Sequence, residues 1–268
     1  MKTNISFIVP SYEQGEYLQD ALNSISSQGL VEGSFEVLVF DGGSLDNTID
    51  ILSNHPVIDY WESVPDRGQA HALNKGFLRA KGEVIGWLNS DDYYLPSVLP
   101  GILEEFANDP QLEVLYGKSL EVDEHGCRVR ELPVVEWSKE VLLDACIISQ
   151  PACFFRKRFM EKNGLLHEDL HLTLDYEYWL RACDWMKIRF LPRFMACSRR
   201  HDRAKSQRLQ IQQMQQSAML AYKYSGEWRE VWLRRIASAK GRHLLAATPF
   251  KRFECLRIFM SSCGFYFF

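Results

Sequence analysis

Over the first 107 residues, short runs of β-forming side chains alternate with stretches of helical periodicity. Strand-like runs at 5–9, 35–40, 57–61 and 84–88 are each followed by a helical stretch, at 17–28, 46–53, 69–80 and 97–107. Strands separated by helices build βαβ units and a mostly parallel sheet, an α/β fold. Ligands of such sheets collect at the carboxyl ends of the strands, where loops and helix N-termini gather. Four loops therefore face one crevice: 10–15, 41–46, 62–69 and 89–94. From 112 the alternation gives way to short strands near 113–122 and 127–132, with "DEHG" at 123–126 as the turn between them. A helix near 138–145, a strand near 152–155, a helix near 174–184 and strands near 188–191 and 194–197 follow, and beyond Ser206 the pattern is helical.

Composition bounds the class. With 46% hydrophobic and 25% charged residues, 268 residues suffice for one large domain with an appendage. No charged leader followed by an apolar stretch opens the chain, which reads as cytosolic. The seven cysteines lack CxxC or close Cys/His spacing, so they read as reduced thiols, mostly in the core. The net charge of −4 hides an asymmetry: residues 199–268 carry 14 Lys and Arg against 4 Asp and Glu. An acidic body with a basic tail points that tail toward an anionic surface. No nucleic-acid-binding module accompanies the charge, which leaves a membrane surface.

The loops carry the chemistry. In "VPSYEQGEYL", Pro10 ends the first strand and Tyr12 offers a ring face to a planar group. In "VFDGGSLDNT", Asp46 is placed to cap the next helix and Ser44 to hold the turn, whereas Asp41, at the strand tip, has no such local task and suits an imide N–H or a ribose hydroxyl. In "ESVPDRGQAHALNKG", Asp66 reads as an N-cap at a helix start where backbone amides favour anions. Neither GxGxxG after the first strand nor a GxxxxGK[ST] loop is present, which argues against nicotinamide cofactors and P-loop chemistry.

"GEVIGWLNSDDYYLP" ends an apolar strand in tandem acids, Asp91 and Asp92, which repel unless a cation intervenes. Oxygen ligands without cysteine suit Mg²⁺ or Mn²⁺, with diphosphate oxygens and water completing the shell. On this reading Asp91 binds the ion and Asp92 caps the helix that follows.

In this order and spacing, "FIVPSYEQGEYLQDALNSI", "EVLVFDGGSLDNT", "PDRGQAHALNKG" and "GEVIGWLNSDDYYLP" resemble the family 2 glycosyltransferases, inverting enzymes of GT-A fold that use nucleotide sugars. The resemblance is close over about 4–110 and looser to about 206. It implies that Pro10, Tyr12 and Glu13 line the nucleoside site, that Asp41 contacts base or ribose, and that Asp66 lies near the base. Asn89, Ser90 and Asp91 occupy the family's DxD position, with Asn89 in place of the first acid. Leu73 stands where many relatives have Arg. "TLDYEYWLRAC" resembles the family's segment carrying the general base, here Asp175, preceded by Leu174 instead of Glu; Glu177 and Arg181, four apart, are expected to pair on the helix surface. "CSRRHDRAKSQ" makes His201 a third metal ligand, with Arg199, Arg200 and Arg203 as phosphate partners.

The expected organisation is a GT-A domain at 1–205, nucleotide-sugar binding over about 1–110 and acceptor side over 111–205, with a basic amphipathic helical extension at 206–268. The expected reaction is inverting transfer of a sugar from a nucleotide-diphosphate sugar, a UDP-sugar as the commonest family choice, to a glycan or lipid-linked acceptor, with Mn²⁺ or Mg²⁺ as cofactor. In the tail, Phe250, Phe253, Leu256 and Met260 lie near helical spacing beside Lys251, Arg252 and Arg257, which suits peripheral contact with an anionic membrane; the same stripe also suits packing on the catalytic domain or a homodimer interface. Two rivals are a nucleotide-sugar-binding protein without transfer activity and a nucleotidyltransferase, which would bring a glycine-rich basic loop after the first strand.

Overall fold

The computed structural model describes residues 4–247. The elements run β1 (Ile5–Ser11), α1 (Gly15–Ser26), β2 (Phe35–Asp41), α2 (Thr48–Asn54), β3 (Tyr60–Ser63), α3 (Gln69–Arg79), β4 (Val84–Trp87), β5 (Tyr93–Tyr94), α4 (Leu99–Asn108), β6 (Val114–Val122), β7 (Arg128–Glu131), α5 (Lys139–Asp144), β8 (Cys153–Arg156), α6 (Lys157–Asn163), α7 (Leu174–Ala182), β9 (Ile188–Arg199), α8 (Lys205–Arg208), α9 (Gln210–Ser225) and α10 (Glu230–Ala247). A 3-10 turn, Gln150–Ala152, leads into β8.

One sheet has the order β3-β2-β1-β4-β8-β6-β9-β5, with β7 on β6. The first four strands are parallel; β8 runs antiparallel to both β4 and β6, and β9 returns parallel to β6 in the longest pairing. The βαβ expectation thus holds, and the sense of the sheet changes at the β4–β8 seam. Strands buried on both faces read as continuous apolar runs. Ile8, Leu38, Phe40 and Ile85 face one core with Leu73 and Phe77 of α3, whereas Phe7, Val9, Val37 and Val39 face the other with Leu18, Leu22 and Ile25 of α1. Helix α3 lies so close to the sheet that a side chain at Gly76 would collide with Ile8.

Three differences from the sequence reading have physical causes. The third strand begins at Tyr60 because residues 55–58 form a turn and the Asp59 carboxylate accepts from the Val37 amide at 2.8 Å. The strands expected at 188–191 and 194–197 are one, β9, whose register against β6 shifts around Lys118. Strand β5 is too short to show a period, and it pairs with β9 across about a hundred residues of sequence. The "DEHG" turn forms as expected, with Gly126 at φ 83° and the Asp123 carboxylate accepting from the His125 and Cys127 amides. The described cysteines are free, Cys153 and Cys197 buried and Cys127 exposed.

Helices α9 and α10 are not separate from the domain: Ala218, Leu220, Ala221 and Trp232 join the core that contains Trp179 of α7 and Phe155 of β8. No helix among the described residues is long and apolar enough to cross a membrane. The tail expected to meet a membrane, from Phe250 onward, lies outside the described residues.

Candidate active site

The loop after β1 is built from two sides. Glu13 adopts φ 54°, a left-handed conformation that costs a non-glycine residue free energy unless its surroundings impose it. Here they do: the Glu13 amide donates to Ser44 Oγ at 2.7 Å, and its carboxylate accepts from the Leu45 amide at 2.9 Å. Ser44 in turn donates to Asp41 at 2.5 Å. Asp46 accepts from the Gly15 amide at 2.9 Å and from the Thr48 amide and hydroxyl, so it ties the starts of α1 and α2; Asn47, not Asp46, holds the cap position of α2. Burial alone would raise the Asp46 pKa, but these hydrogen bonds prevail and lower it.

Asp41 corrects the expectation that it has no local task. It is 1% exposed, and its carboxylate accepts from the Gly43 and Ser44 amides and from the hydroxyls of Ser44 and Ser63, the last at 2.6 Å. A carboxylate with four donors fixes a turn first. Tyr12 is 63% exposed. A Cβ on Gly42 would meet the Tyr12 ring at 3.1 Å and the Asp66 carboxyl at 3.4 Å, so Tyr12, Gly42 and Asp66 adjoin as a shallow platform at the ends of β1, β2 and β3. Pro10, in β1, pairs in register with Phe40 and is buried beneath this platform. Asp66 is not the helix cap itself: it accepts from the Gly68 amide at 2.7 Å and so holds the turn, while Gly68, at φ 111°, takes the cap position of α3.

The tandem acids divide differently from the sequence reading. Asp92 caps no helix. It is 4% exposed and accepts from the Arg199 amide at 2.9 Å, and α4 begins later, at Leu99, without a side-chain cap. Burial first, then the charge of Asp91, pushes the Asp92 carboxyl well above its usual range. Asn89 is also bound within the protein. Its Oδ1 accepts from Gln69 Nε2 at 2.7 Å and Trp87 Nε1 at 2.8 Å, while its Nδ2 donates to Gln150 Oε1 at 2.9 Å. Such a set of partners demands an amide: a carboxylate would face the Gln150 oxygen with no proton to give.

Asp91 is the acid left with work to do. Its Oδ2 accepts from Gln14 Nε2 at 3.0 Å and lies 3.1 Å from His201 Nε2. Ser90, fully buried, donates its hydroxyl to Gln14 Oε1, so one amide side chain from the β1 loop grips both residues of the motif. His201 is 5% exposed, packs on Tyr17 at 4.9 Å between ring centroids, and leaves Nδ1 buried without a partner. Arg199 is not available to phosphate, since it bonds Asp20, the Asp91 carbonyl and the Glu124 carbonyl; Arg203 pairs with Glu16 at 2.6 Å, and Arg200 is exposed. Among the described residues no group of three or more His, Cys, Asp or Glu is arranged to hold a metal. The Asp91–His201 pair would offer a carboxylate and an imidazole to a Mn²⁺ or Mg²⁺ ion, with diphosphate oxygens and water supplying the remaining positions.

Asp175 lies in the first turn of α7, whose cap residue, Thr173, makes no cap hydrogen bond through its side chain. It retains partial exposure, and burial raises its pKa, offset only in part by the amides of Asp175 and Tyr176. Its field reaches Cys146 and Cys153, and the latter directly follows the turn that holds Gln150, the partner of Asn89. The Glu177–Arg181 pair forms at 3.2 Å, but Glu177 is fully buried beneath α9, so the pair is internal. Gln14, Gln69 and Gln150, which knit the site together, went unread in the sequence because neutral amides carry no motif signal; the tandem acids they surround are the one clue to look for them.

The chain's likeness to known proteins agrees with this geometry. Residues 6–124 match the profile of glycosyl transferase family 2. An uncharacterized glycosyltransferase of Mycobacterium tuberculosis (strain H37Rv) is 30% identical over 190 residues, spanning 69% of this chain and 72% of that protein. This chain belongs to glycosyl transferase family 2. The chondroitin synthase of Pasteurella multocida is 29% identical over 192 residues, 70% of this chain but 20% of the synthase, so the chain spans about a fifth of that relative. Among solved structures, S. aureus TarS 1–349 in complex with UDP-GlcNAc superposes with a TM-score of 0.65 at 19% identity, over 94% of this chain and 75% of that 1–349 chain. The mannosyltransferase PcManGT from Pyrobaculum calidifontis, in complex with GDP-Man and Mn²⁺, gives 0.60 at 15% identity, over 98% and 86%. The fold of this family 2 transferase is therefore GT-A.

Proposed function

We propose that this transferase moves a sugar from a nucleoside diphosphate sugar, a UDP-sugar, to a hydroxyl of a glycan or lipid-linked acceptor with inversion at the anomeric carbon. The observation that carries the reading is the β1 loop, which bonds through Glu13 to the Asp41 turn and through Gln14 to Asp91. Asp41 ends β2 and Asp91 follows β4, the two strands that flank β1, so two strand spacings, about 10 Å, separate them. That separation suits a nucleoside at the Tyr12–Gly42–Asp66 platform and its diphosphate at Asp91. The bound donors of TarS and PcManGT support a nucleotide sugar, and the Mn²⁺ of PcManGT supports a divalent ion.

In this reaction the acceptor oxygen attacks the anomeric carbon as the bond to the diphosphate oxygen breaks, and Asp175 takes the acceptor proton. Tyr12 orients the base, and Asp91 with His201 would hold the ion, which when bound offsets charge on the departing diphosphate. Asn89 serves by fixing the Asp91 loop. The product chemistry fits surface polysaccharide assembly, with the protein peripheral at the inner face of the membrane through its tail. A protein truncated before Phe250 is then expected to stay in the supernatant with anionic vesicles that sediment the full chain; sedimentation of both would remove the membrane reading.

The test of the donor site is a panel of UDP- and GDP-sugars scored for Mn²⁺-dependent thermal stabilisation, since a ligand that binds the native state alone raises its stability with its affinity. A UDP-sugar is expected to lead; no stabilisation by any member would overturn the reading. Two variants refine it. Gly42→Ala, which pushes the Tyr12 ring and Asp66 apart, is expected to weaken UDP binding several-fold with the melting temperature kept. Gln14→Leu frees Asp91 from its amide partner and is expected to raise the Mn²⁺ concentration needed for half-maximal stabilisation by UDP about tenfold, on the scale of lost ligand-orienting hydrogen bonds.

A further inference from the structure

At the start of the helix that bears Asp175, the cap residue turns its side chain to another helix. Helix α7 starts without a side-chain cap, and the hydroxyl of Thr173, which occupies the cap position, turns outward to Gln216 Oε1 of α9 at 3.3 Å. The residue before it is gripped by the same helix, since Gln213 Nε2 donates to the Leu172 carbonyl at 3.1 Å. On the far side of Asp175, Tyr224 near the end of α9 donates its hydroxyl to the fully buried Glu177 at 2.5 Å. Helix α10 continues the grip: Trp232 packs on Tyr176 at 5.8 Å between ring centroids and donates to the Leu143 carbonyl, while Arg229, just before α10, pairs with Asp144 of α5 at 2.7 Å. Every described neighbour of Asp175 from 172 to 177 except Leu174 is therefore bonded to, or stacked on, α9 or α10. Leu174 is buried in the shared core.

A helix start without a cap frays unless something outside satisfies it. A carboxylate in that first turn would wander with the backbone. A base serves only while it stays within hydrogen-bond reach of the proton it removes. We propose that α9, through Gln213, Gln216 and Tyr224, is part of the acceptor-side machinery: these three are positioning residues that hold the first turn of α7, and with it Asp175, in register with the donor. The inference rests on the reading of Asp175 as the base. It also gives a task to chain beyond residues 6–124, where the family match ends.

Glu177 is the anchor of this arrangement, and the charged groups around it are accounted for. Arg181 faces it from its own helix at 3.2 Å, His167 from the preceding loop at 3.6 Å, and Tyr224 from α9. Removing the Tyr224 hydroxyl leaves Arg181 to neutralise Glu177, so Tyr224→Phe is expected to fold. The same holds for Gln213→Ala with Gln216→Ala, since Gln213 and Gln216 are only partly buried.

The experiment uses the full chain and two readouts. Turnover is the nucleoside diphosphate released with Mn²⁺ from UDP-GlcNAc or GDP-mannose, whichever binds; donor binding is the Mn²⁺-dependent thermal shift given by UDP or GDP. Tyr224→Phe and the Gln213→Ala/Gln216→Ala pair are expected to lose roughly 10- to 100-fold in kcat, the scale of a misplacement of about 1 Å, with the nucleotide-induced shift and donor KM unchanged. Hydrogen exchange at the amides of 174–177 should quicken in the same variants, and not at the amides of β1. Wild-type kcat in both variants would overturn the proposal, as would a loss of nucleotide binding in step with kcat. If Asp175→Asn itself keeps wild-type turnover, the base assignment fails instead, which separates the two.

Discussion

Asp175→Asn should lose about 10²- to 10⁴-fold in kcat while its UDP-induced thermal shift stays as in the wild type, because general-base catalysis contributes on that scale and the donor platform lies on other strands. The same variant should be more stable than the wild type at pH 7. Burial raises the Asp175 pKa above its unfolded value. A group of this kind binds its proton more tightly when folded, so the stability it contributes is complete at acid pH and is lost as pH rises through the raised value. At neutral pH its ionised form therefore costs stability, and an amide removes that cost. The gain in melting temperature should vanish as pH falls toward the ordinary carboxylate range. The sign for activity is the reverse: the base must be ionised, so kcat should fall as pH drops through a limb lying above the ordinary range, and the limb should be missing from whatever turnover Asp175→Asn retains. An unchanged kcat, or a variant less stable at pH 7, would contradict this account.

The tandem acids give the second large effect. Asp91→Asn should abolish Mn²⁺-dependent stabilisation by UDP and reduce turnover at least 10²-fold, since the ion proposed at Asp91 and His201, 3.1 Å apart, would stabilise charge on the departing diphosphate. Asp92→Asn should be mild by comparison: its nearest backbone donor, the Arg199 amide at 2.9 Å, is one that an amide oxygen also satisfies, and its contact with Asn89 Nδ2 is long, at 3.4 Å. Asn89→Asp, which restores an acid to the motif's first position, should not tighten Mn²⁺ binding. It would place a carboxylate against Gln150 Oε1 and beside two further acids, and an unsatisfied buried group costs about 1 to 3 kcal/mol. Mn²⁺ titrations of UDP-dependent melting, run on the three variants together, check all of this. Equal loss in Asp91→Asn and Asp92→Asn would mean that both acids hold the ion.

The sequence made the scaffold legible because period and order are local properties. The four strand–helix pairs, the crevice loops and the special position of Asp91 all follow from residues within a few places of one another. What the sequence hid was made by partners far apart in the chain. Gln14 meets Asp91 across 77 residues and Asn89 meets Gln150 across 61, and nothing in the spacing of either pair announces it. The local task of Asp41 is hidden for a related reason: its donors Gly43 and Ser44 are close in sequence, but Ser63 arrives from the neighbouring strand, and together they occupy the carboxylate. Asp92 looked like a cap because polar residues before a helix usually are. Its amide partner at Arg199 comes from β9, at the other end of the domain. The surface placement of Glu177 followed from the i, i+4 rule, which fixes who pairs but not what later covers the pair.

The change of strand sense between β4 and β8 has a practical meaning. On the function proposed above, nucleotide handling would be written in one stretch of chain on the parallel side and proton removal in another, beyond β4, with the amide contacts of Gln150 to Asn89 and the Trp87 carbonyl at the join. Loops hung from the second stretch can be lengthened, exchanged or retuned to a new hydroxyl while the leaving group is still gripped in the same way. Diversification of what receives the sugar therefore has a cheap route open to it, and the residues to leave alone along that route are the glutamines at the join.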